Sequence, residues 1–216
     1  MEYYFNKLKA TPILIGAHCG PPFTEGKISH LFKLVTELKN KNYFIILVNN
    51  SKIPREIIDL CDVYFENFNY TNPGYGVSVS MQTEIGLNIA KYHLYNKCLR
   101  IEYDSPINYD YDELIFRCQT ICKENNKKFV SAEWGTNGIG TGNFYIDDID
   151  FLLKNVRFFS FKTGHDSFYG IVEIPFKEDL LKSGAINQSY IYKDYHEYYK
   201  CKNTQKYQGG GTIELY

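Results

Sequence analysis

The sequence predicts a single α/β domain in which helices flank a mainly parallel sheet. The first observation is a series of short runs that are apolar at almost every position, as expected for strands covered on both faces. The second is that longer segments with apolar residues at helical spacing separate these runs. The third is a length of 216 residues, without an internal repeat or a linker-like stretch, which fits one large domain.

The first third of the chain alternates between these two patterns. Continuous apolar character predicts strands at Pro12–Ala17, Tyr43–Val48 and Asp62–Glu66. Helical spacing between them predicts helices at Lys27–Lys39 and Ile53–Leu60. The resulting β-α-β-α-β order is typical of a parallel sheet with helices on its faces.

The middle of the chain continues the alternation after a polar loop. The pattern predicts a helix from Ser78 to His93 and a strand from Cys98 to Glu102. It then predicts a helix capped by Asp110 or Asp112, and a strand from Lys128 to Ala132. These elements extend the same sheet.

The last part of the chain carries weaker signals. Glu133 to Gly142 is a glycine-rich loop, and Asp147 or Asp148 caps a short helix. The remaining expectations are an extended piece at Asn143–Ile146, an edge strand at Phe158–Phe161, a helix and a second short element within Ser167–Lys182 with Pro175 breaking the helical pattern, and a tail at Ile186–Tyr216. Residues 1–216 are therefore expected to form one domain, on which residues 186–216 pack as a peripheral C-terminal tail.

Composition narrows the function classes. A net charge of -1, with lysines and acids interspersed, gives no reason to expect binding to nucleic acid or to a membrane surface. The 20 tyrosines and 15 phenylalanines indicate either surfaces that stack on sugars or bases, or an AT-rich codon bias. No apolar run is long enough for a signal peptide or a membrane span. The six cysteines include no C-x-x-C pair, so we expect no zinc site. Since no segment fits a signal peptide or a membrane span, we expect a cytoplasmic protein with reduced thiols.

Two carboxylates stand at the end of the predicted strand Cys98–Glu102. Glu102 and Asp104 are one residue apart, and side chains at i and i+2 of an extended segment face the same side. The carboxyl end of a strand is where open α/β sheets bind ligands. Two close carboxylates favour a hard divalent cation between them, here one that carries a diphosphate. The alternative is two solvated acids that lead into a polar loop.

The order of elements and three segments resemble the GT-A glycosyltransferases, in particular the compact ones encoded by large DNA viruses. The segments are Ile13–Phe65, Leu99–Asp104, at the position of that fold's D-x-D motif, and Thr141–Phe151. The resemblance implies a Rossmann-like GT-A domain, a viral protein of the host cytoplasm, and Mn²⁺ or Mg²⁺ as cofactor. Since the first acid of the motif is Glu rather than Asp, Asp104 is the expected direct metal ligand, and Glu102 acts directly or through water.

The resemblance also implies roles for other residues. Those expected to contact the nucleotide sugar are His18, Cys19, Gly20, Asn49, Asn50, Arg100, Glu102 and Tyr103. The asparagine pair alternatively forms a turn, and Arg100 alternatively forms a structural ion pair. His165 completes the metal shell or else caps a turn. An inverting transfer needs a carboxylate base, for which Asp166 is the first choice and Glu133 the second, and Trp134 is expected to stack on the acceptor.

These observations predict a metal-dependent glycosyltransferase that moves a sugar from a nucleotide-diphosphate donor, expected to be a UDP-sugar, to a glycan or glycoprotein acceptor. Two alternatives stay open. A non-catalytic nucleotide- or sugar-binding module would not need the acids, and a metal-dependent phosphoesterase would normally cluster more of them. A dinucleotide enzyme is disfavoured because no G-x-G-x-x-G follows the first strand, and no P-loop is present. Cysteine nucleophile chemistry at Cys19 is disfavoured because its neighbours offer no base.

Overall fold

The computed structural model describes residues 9–17, 25–49, 52–66, 75–134, 138–158 and 173–200, without the side chains of residues 75–78 and 134. The described strands are β1 (Ile13–Ala17), β2 (Ile45–Asn49), β3 (Val63–Glu66), β4 (Cys98–Glu102), β5 (Phe129–Trp134), β6 (Gly138–Ile139), β7 (Phe144–Ile146) and β8 (Ser189–Tyr192). The described α-helices are α1 (Glu25–Asn40), α2 (Arg55–Ile58), α3 (Tyr75–Tyr92), α4 (Tyr111–Glu124), α5 (Ile149–Asn155), α6 (Glu173–Lys182) and α7 (Tyr195–Tyr198). A 3₁₀ turn, Ala185–Gln188, precedes β8.

The strands form one mixed, mostly parallel sheet. Its order is β3-β2-β1-β4-β7-β5, and both β6 and β8 pair with β5. The pairs β3–β2, β2–β1, β1–β4 and β5–β8 are parallel, whereas β7 is antiparallel to both of its neighbours. The predicted single-domain α/β class, with a mainly parallel sheet between helices, is confirmed.

Alternation along the strands divides the core into two layers. On β1, Ile13 and Ile15 face a cluster that includes α1, α4 and α7, whereas Leu14 faces a cluster that includes α3, α5 and α6. Both faces are therefore buried, which explains the unbroken apolar runs in the sequence. Each fully buried Ile or Leu contributes about 1.5–3 kcal/mol relative to an exposed one.

Helix capping settles two alternatives left open by the sequence. Asp110 accepts a hydrogen bond from the Glu113 amide at 2.9 Å and caps α4. Asp148 accepts one from the Phe151 amide at 3.1 Å and caps α5. An acceptor at this position satisfies one of the amides that a helix start leaves without an intrahelical partner.

Three expectations about the last part of the chain change. The helix interruption at Pro175 is wrong, because α6 runs through this residue in its first turn, where an amide has no intrahelical partner to lose. Glu133 and Trp134 belong to β5 rather than to a loop. Within the expected C-terminal tail, residues 189–192 form β8, a strand of the sheet itself. Of the expected edge strand Phe158–Phe161, only Phe158 lies within the described residues.

The parallel strands bring their carboxyl ends to one edge of the sheet. Gly16 of β1 lies opposite Glu102 of β4, and Ala17 lies opposite Asn49 of β2. Strand β4, at whose end the sequence predicts a metal ion, thus ends beside the ends of the first two strands. This edge is where an open α/β sheet binds its ligand. Among the described residues, no helix is both long and apolar enough to cross a membrane.

Candidate active site

Strand β4 ends at Glu102 in a tight turn. The Ser105 amide donates to the Glu102 carbonyl at 3.0 Å, and the Glu102 amide donates to Ser105 Oγ at 3.1 Å. Tyr103 and Asp104 are the central residues of this turn and not part of the strand. The prediction that Glu102 and Asp104 face the same side assumed an extended backbone through Asp104. It is wrong in this respect, because the extended backbone ends at Glu102. The turn still keeps Asp104 two residues from the strand end, where it is half-buried.

A fully buried arginine lies behind Glu102. The Arg100 side chain has no exposed surface, its Nε donates to Thr83 Oγ1 of α3 at 2.8 Å, and its Nη1 donates to the Gly142 carbonyl. Its Nη1 lies 4.0 Å from Glu102 Oε1. Gly16 makes room for the guanidinium, since a Cβ there would lie 2.6 Å from Nη2. Arg100 therefore links β4 to α3 and to the loop that contains Gly142.

Glu102 opens onto a small polar cavity of about 60 Å³. Its lining residues are Glu102, Gly140, Thr141, Gly142, Asn143, Glu173 and Tyr195. Glu173 is the first residue of α6, and its Oε1 accepts a hydrogen bond from Thr141 Oγ1 at 3.2 Å. The cavity thus brings two carboxylates, two hydroxyls and an amide together at the carboxyl edge of the sheet.

Burial perturbs the pKa of both carboxylates. Burial raises the pKa of the Glu102 carboxyl, and the nearby Arg100 guanidinium opposes that rise. Burial likewise raises the pKa of Glu173, and the negative charge of Glu102 raises it further, whereas the Thr141 hydroxyl and Arg100 lower it. Perturbed carboxylates that share a cavity are typical of functional sites.

The carboxylate oxygens of Glu102 and Asp104 are the type of ligand that a hard divalent cation prefers. Mg²⁺ in particular needs only one or two protein carboxylates, because phosphates and water complete its shell. Within the residues that the structure describes, no group of three or more His, Cys, Asp or Glu side chains is close enough to hold a metal by itself. A cation at Glu102 and Asp104 would therefore depend on ligands from a bound diphosphate or from residues outside that part of the chain.

A chain of hydrogen bonds connects the turn after β4 to the C-terminal segment. Ser105 Oγ donates to Asn143 Oδ1 at 3.1 Å, and Asn143 Nδ2 donates to the Tyr195 hydroxyl at 2.8 Å. His30 Nε2 lies 2.8 Å from the Ser105 carbonyl, to which it donates. Ser105 and Asn143 are almost fully buried, so these bonds fix the turn against the loop before β7.

The sequence matches no protein-family model and no curated protein. Among solved structures, the chain is similar to a putative nucleotide-diphospho-sugar transferase from Desulfovibrio desulfuricans, with a TM-score of 0.52 and 11% identity over 87% of this chain and 81% of that one. The chain has a GT-A-like fold. A second similar structure is a cytidylyltransferase from Leptospira borgpetersenii, with a TM-score of 0.49 and 16% identity over 86% of this chain and 76% of that one. A third is core-mannan synthase A from Aspergillus fumigatus in its Mn/GDP form, with a TM-score of 0.47 and 10% identity over 95% of this chain and 82% of that one.

The GT-A-like structure places some of the predicted residues. Asn49 ends β2, is fully buried, and its Nδ2 lies 3.5 Å from the Tyr64 hydroxyl. Tyr103 is nearly buried, and Lys27 Nζ lies 5.6 Å from its ring centre. Asn49 and Tyr103 both stand at the carboxyl edge of the sheet, and their contact with a nucleotide sugar stays a prediction.

Other predicted residues do not line the cavity or lie outside the described part of the chain. Glu133 of β5 is half-exposed, with Lys177 Nζ 4.0 Å from its carboxylate. The backbone of Trp134 pairs with Gly138, and its side chain is not described. The predicted residues that lie outside the described part of the chain are His18, Cys19, Gly20, Asn50, His165 and Asp166.

Sequence reasoning missed several residues of the cavity. Thr141 and Asn143 lie in or beside the glycine-rich stretch that was noted without a role for either side chain. No sequence signal pointed to Glu173 or Tyr195, which packing brings to the cavity from distant parts of the chain. The unrecognised part of the site therefore comes from α6 and from the segment after β8.

Gly142→Ala is expected to destabilise the protein by about 1–3 kcal/mol, a typical cost of overpacking. A Cβ at Gly142 would lie 2.5 Å from Glu102 Oε1, so the carboxylate would have to move. Gly140→Ala is the matched control, because its Cβ would come no closer than 3.5 Å to any neighbour. Urea unfolding of both variants measures the difference. Equal free energies of unfolding for the two variants would show that Glu102 does not pack against Gly142.

Glu173→Gln is expected to stabilise the protein at pH 8 more than at pH 4. Because the pKa of Glu173 is raised on folding, the folded state holds this proton more tightly than the unfolded state. The associated stability is present below the usual pKa of 4.5 and is lost as the pH rises through the folded pKa. Glutamine stays neutral and still accepts from Thr141, so it avoids the loss.

The control for Glu173→Gln is Glu178→Gln on the same helix. Glu178 is exposed and pairs with Lys182 at 3.0 Å, so its replacement should change stability by less than about 0.5 kcal/mol at either pH. Urea unfolding at pH 4, 6 and 8 provides the measurement. A Glu173→Gln effect that is independent of pH would contradict the raised pKa.

Proposed function

We propose that the chain is a metal-dependent glycosyltransferase that moves a sugar from a nucleotide-diphosphate donor to a glycan or glycoprotein acceptor. The observation that carries the proposal is Glu102, which ends β4 at the carboxyl edge of the sheet and opens onto a polar cavity in a GT-A-like fold. This edge is the ligand-binding edge of open α/β sheets. A UDP-sugar is the proposed donor, because the resemblance implies that amides and backbone groups at the ends of the first strands recognise uracil.

The proposed donor site combines the end of β4 and the turn after it with the ends of the neighbouring strands. The carboxylate of Asp104 would hold Mn²⁺ or Mg²⁺ directly. Glu102 and His165 are the other proposed metal ligands. When bound, such a cation neutralises charge on the diphosphate leaving group. The residues proposed to contact the nucleotide and its sugar are His18, Cys19, Gly20, Asn49, Asn50, Glu102 and Tyr103. Arg100 is left out of this set because its side chain is fully buried, and its position 4.0 Å from Glu102 favours the alternative role in a structural ion pair.

The proposed chemistry needs a carboxylate on the acceptor side. The acceptor hydroxyl attacks the anomeric carbon of the sugar, its proton passes to the carboxylate, and the bond to the nucleotide diphosphate breaks. Asp166 and Glu133 are the proposed bases, and Trp134 is the proposed stacking ring for the acceptor. Glu173 joins these candidates because it shares the cavity with Glu102 and has a raised pKa.

Calorimetry with nucleotide sugars tests the proposal. We expect a UDP-sugar to bind in the presence of Mn²⁺ and to bind much more weakly when the metal is chelated. GDP- and CDP-sugars serve as the other arms of the titration. The proposal fails if no nucleotide sugar binds in a metal-dependent manner.

Product analysis separates the three function classes. A transferase releases the nucleotide diphosphate only when an acceptor is present, beyond a slow hydrolysis. A binding module releases none, and a phosphoesterase releases phosphate or a monophosphate without an acceptor.

A further inference from the structure

The segment from β8 through α7 is firmly attached to the core. Arg117 of α4 donates to the carbonyl oxygens of Tyr198 and Lys200. The hydroxyl of Tyr109, which is itself buried, donates to the Tyr199 carbonyl at 2.9 Å. Together with the parallel pairing of β8 and β5, these bonds fix the position of the segment relative to the candidate active site.

Tyr195 extends from this segment to the cavity. It is the first residue of α7, and Asp194 caps that helix by accepting from the His196 amide at 2.8 Å. Its ring packs against Tyr199, with the ring centres 5.0 Å apart. Its hydroxyl accepts a hydrogen bond from Asn143 Nδ2 at 2.8 Å. The ring is therefore held by the segment, and the hydroxyl is held at the cavity wall.

Asn143 transmits this contact to the turn after β4. Its amide nitrogen donates to Tyr195, and its amide oxygen accepts from Ser105, so the two bonds specify one orientation of the side chain. Ser105 Oγ in turn accepts from the Glu102 amide. Ser105 is almost fully buried and is not among the lining residues of the cavity, so water cannot easily replace its bond to Asn143.

We propose that Tyr195 is a positioning residue for the turn that carries Glu102 and Asp104, acting through Asn143 and Ser105. Removal of the hydroxyl takes away the acceptor of the Asn143 amide nitrogen and allows the amide to rotate. Ser105 Oγ then loses its fixed acceptor, and its bond from the Glu102 amide weakens. The functional consequence rests on the proposed function, since it assumes that this turn binds the metal and the diphosphate.

Hydrogen exchange of the metal-free protein tests the structural part directly. In Tyr195→Phe, the Glu102 amide is expected to exchange about five- to tenfold faster, the effect of losing roughly one hydrogen bond. Tyr190→Phe is the matched control, because this tyrosine lies on β8 but its hydroxyl is no part of the chain to Ser105. Unchanged exchange in Tyr195→Phe, or an equal change in Tyr190→Phe, would overturn the inference.

Metal titration tests the functional part. Tyr195→Phe is expected to raise the Mn²⁺ concentration for half-maximal donor binding about fivefold and to leave metal-free nucleotide binding unchanged. Combining it with Ser105→Ala should add little to the effect of Ser105→Ala alone, because both act through one chain of bonds. Additive effects, or an unchanged Mn²⁺ requirement in a wild type that binds donor, would overturn the inference. If the wild type binds no nucleotide sugar, the proposed function fails, and the exchange measurement alone decides the role of Tyr195.

Discussion

Replacing Arg100 with methionine is expected to lower the free energy of unfolding by about 3–5 kcal/mol, the typical cost of removing one partner of a buried charge pair. The guanidinium is fully buried and bonded to Thr83 Oγ1 and to the Gly142 carbonyl, and it lies 4.0 Å from Glu102. Methionine fills much of the volume but leaves these acceptors without their donor. A buried acceptor without a donor keeps the full cost of its desolvation.

The matched control for Arg100→Met is Arg55→Met. Arg55 is 81% exposed and pairs with Asp59 one helical turn away, an arrangement that contributes only about 0.3–0.5 kcal/mol. Urea unfolding, followed by circular dichroism, compares the two variants with the wild type. A loss of less than about 1 kcal/mol for Arg100→Met would show that the guanidinium is not a structural centre of the site.

The pH dependence of Arg100→Met distinguishes lost charge from lost packing. Arg100 lowers the pKa of Glu102, so its removal raises that pKa further and makes ionisation of the buried carboxyl more costly. The stability lost through Glu102 therefore appears as the pH rises above the usual pKa of 4.5. The destabilisation should be larger at pH 8 than at pH 4, whereas a packing defect would be equal at both. Glu173 faces the same cavity and contributes in the same direction.

The sequence was most informative where strands are buried on both faces. The bounds predicted for β4, Cys98–Glu102, coincide with the observed strand, because its mostly apolar residues are buried on both faces of the sheet. The weak signals belong to β6, β7 and β8, which are short. Their pairing with β4 or β5 depends on partners that are distant in the chain, and no local periodicity encodes such partners.

The candidate site divides in the same way. Position along the chain was enough to place Glu102 at the carboxyl end of a strand. That this strand lies beside β1, with Glu102 opposite Gly16, is known only from the structure. Position along the chain was also not enough to show that the strand gives way to a turn before Asp104, because that turn depends on the bonds between Glu102 and Ser105. Glu173 reaches the cavity only through the packing of α6, so a sequence pattern had nothing to mark it.

The site is also where local rules of folding are broken. Arg100 interrupts an apolar strand, and Gly16 is required by the guanidinium rather than by a backbone turn. Two partly buried carboxylates with raised pKa values lie on one cavity, an arrangement that reduces stability at neutral pH. Such conflicts between local preference and fold are expected at functional sites, which supports the placement of function at the end of β4.

Asp104→Ala is expected to reduce sugar transfer at least about 100-fold, which corresponds to roughly 2.7 kcal/mol of lost transition-state stabilisation. As the proposed metal ligand, Asp104 would contribute to charge neutralisation on the leaving diphosphate. Because Asp104 is a half-buried turn residue outside the core clusters, its removal should change the free energy of unfolding by less than about 1 kcal/mol. Initial rates at saturating donor and Mn²⁺, together with urea unfolding, provide the two measurements.

Two controls give the Asp104→Ala result its meaning. Asp59→Ala removes an exposed acid that follows α2, and it should leave transfer unchanged. Glu102→Gln keeps the shape of the other acid and removes its charge. If Asp104→Ala retains turnover while Glu102→Gln loses it, the essential carboxylate is the one that opens onto the cavity beside Arg100 and Glu173. In that case the strand end rather than the turn would hold the metal, and the first acid of the motif would take the role that we assign to the second.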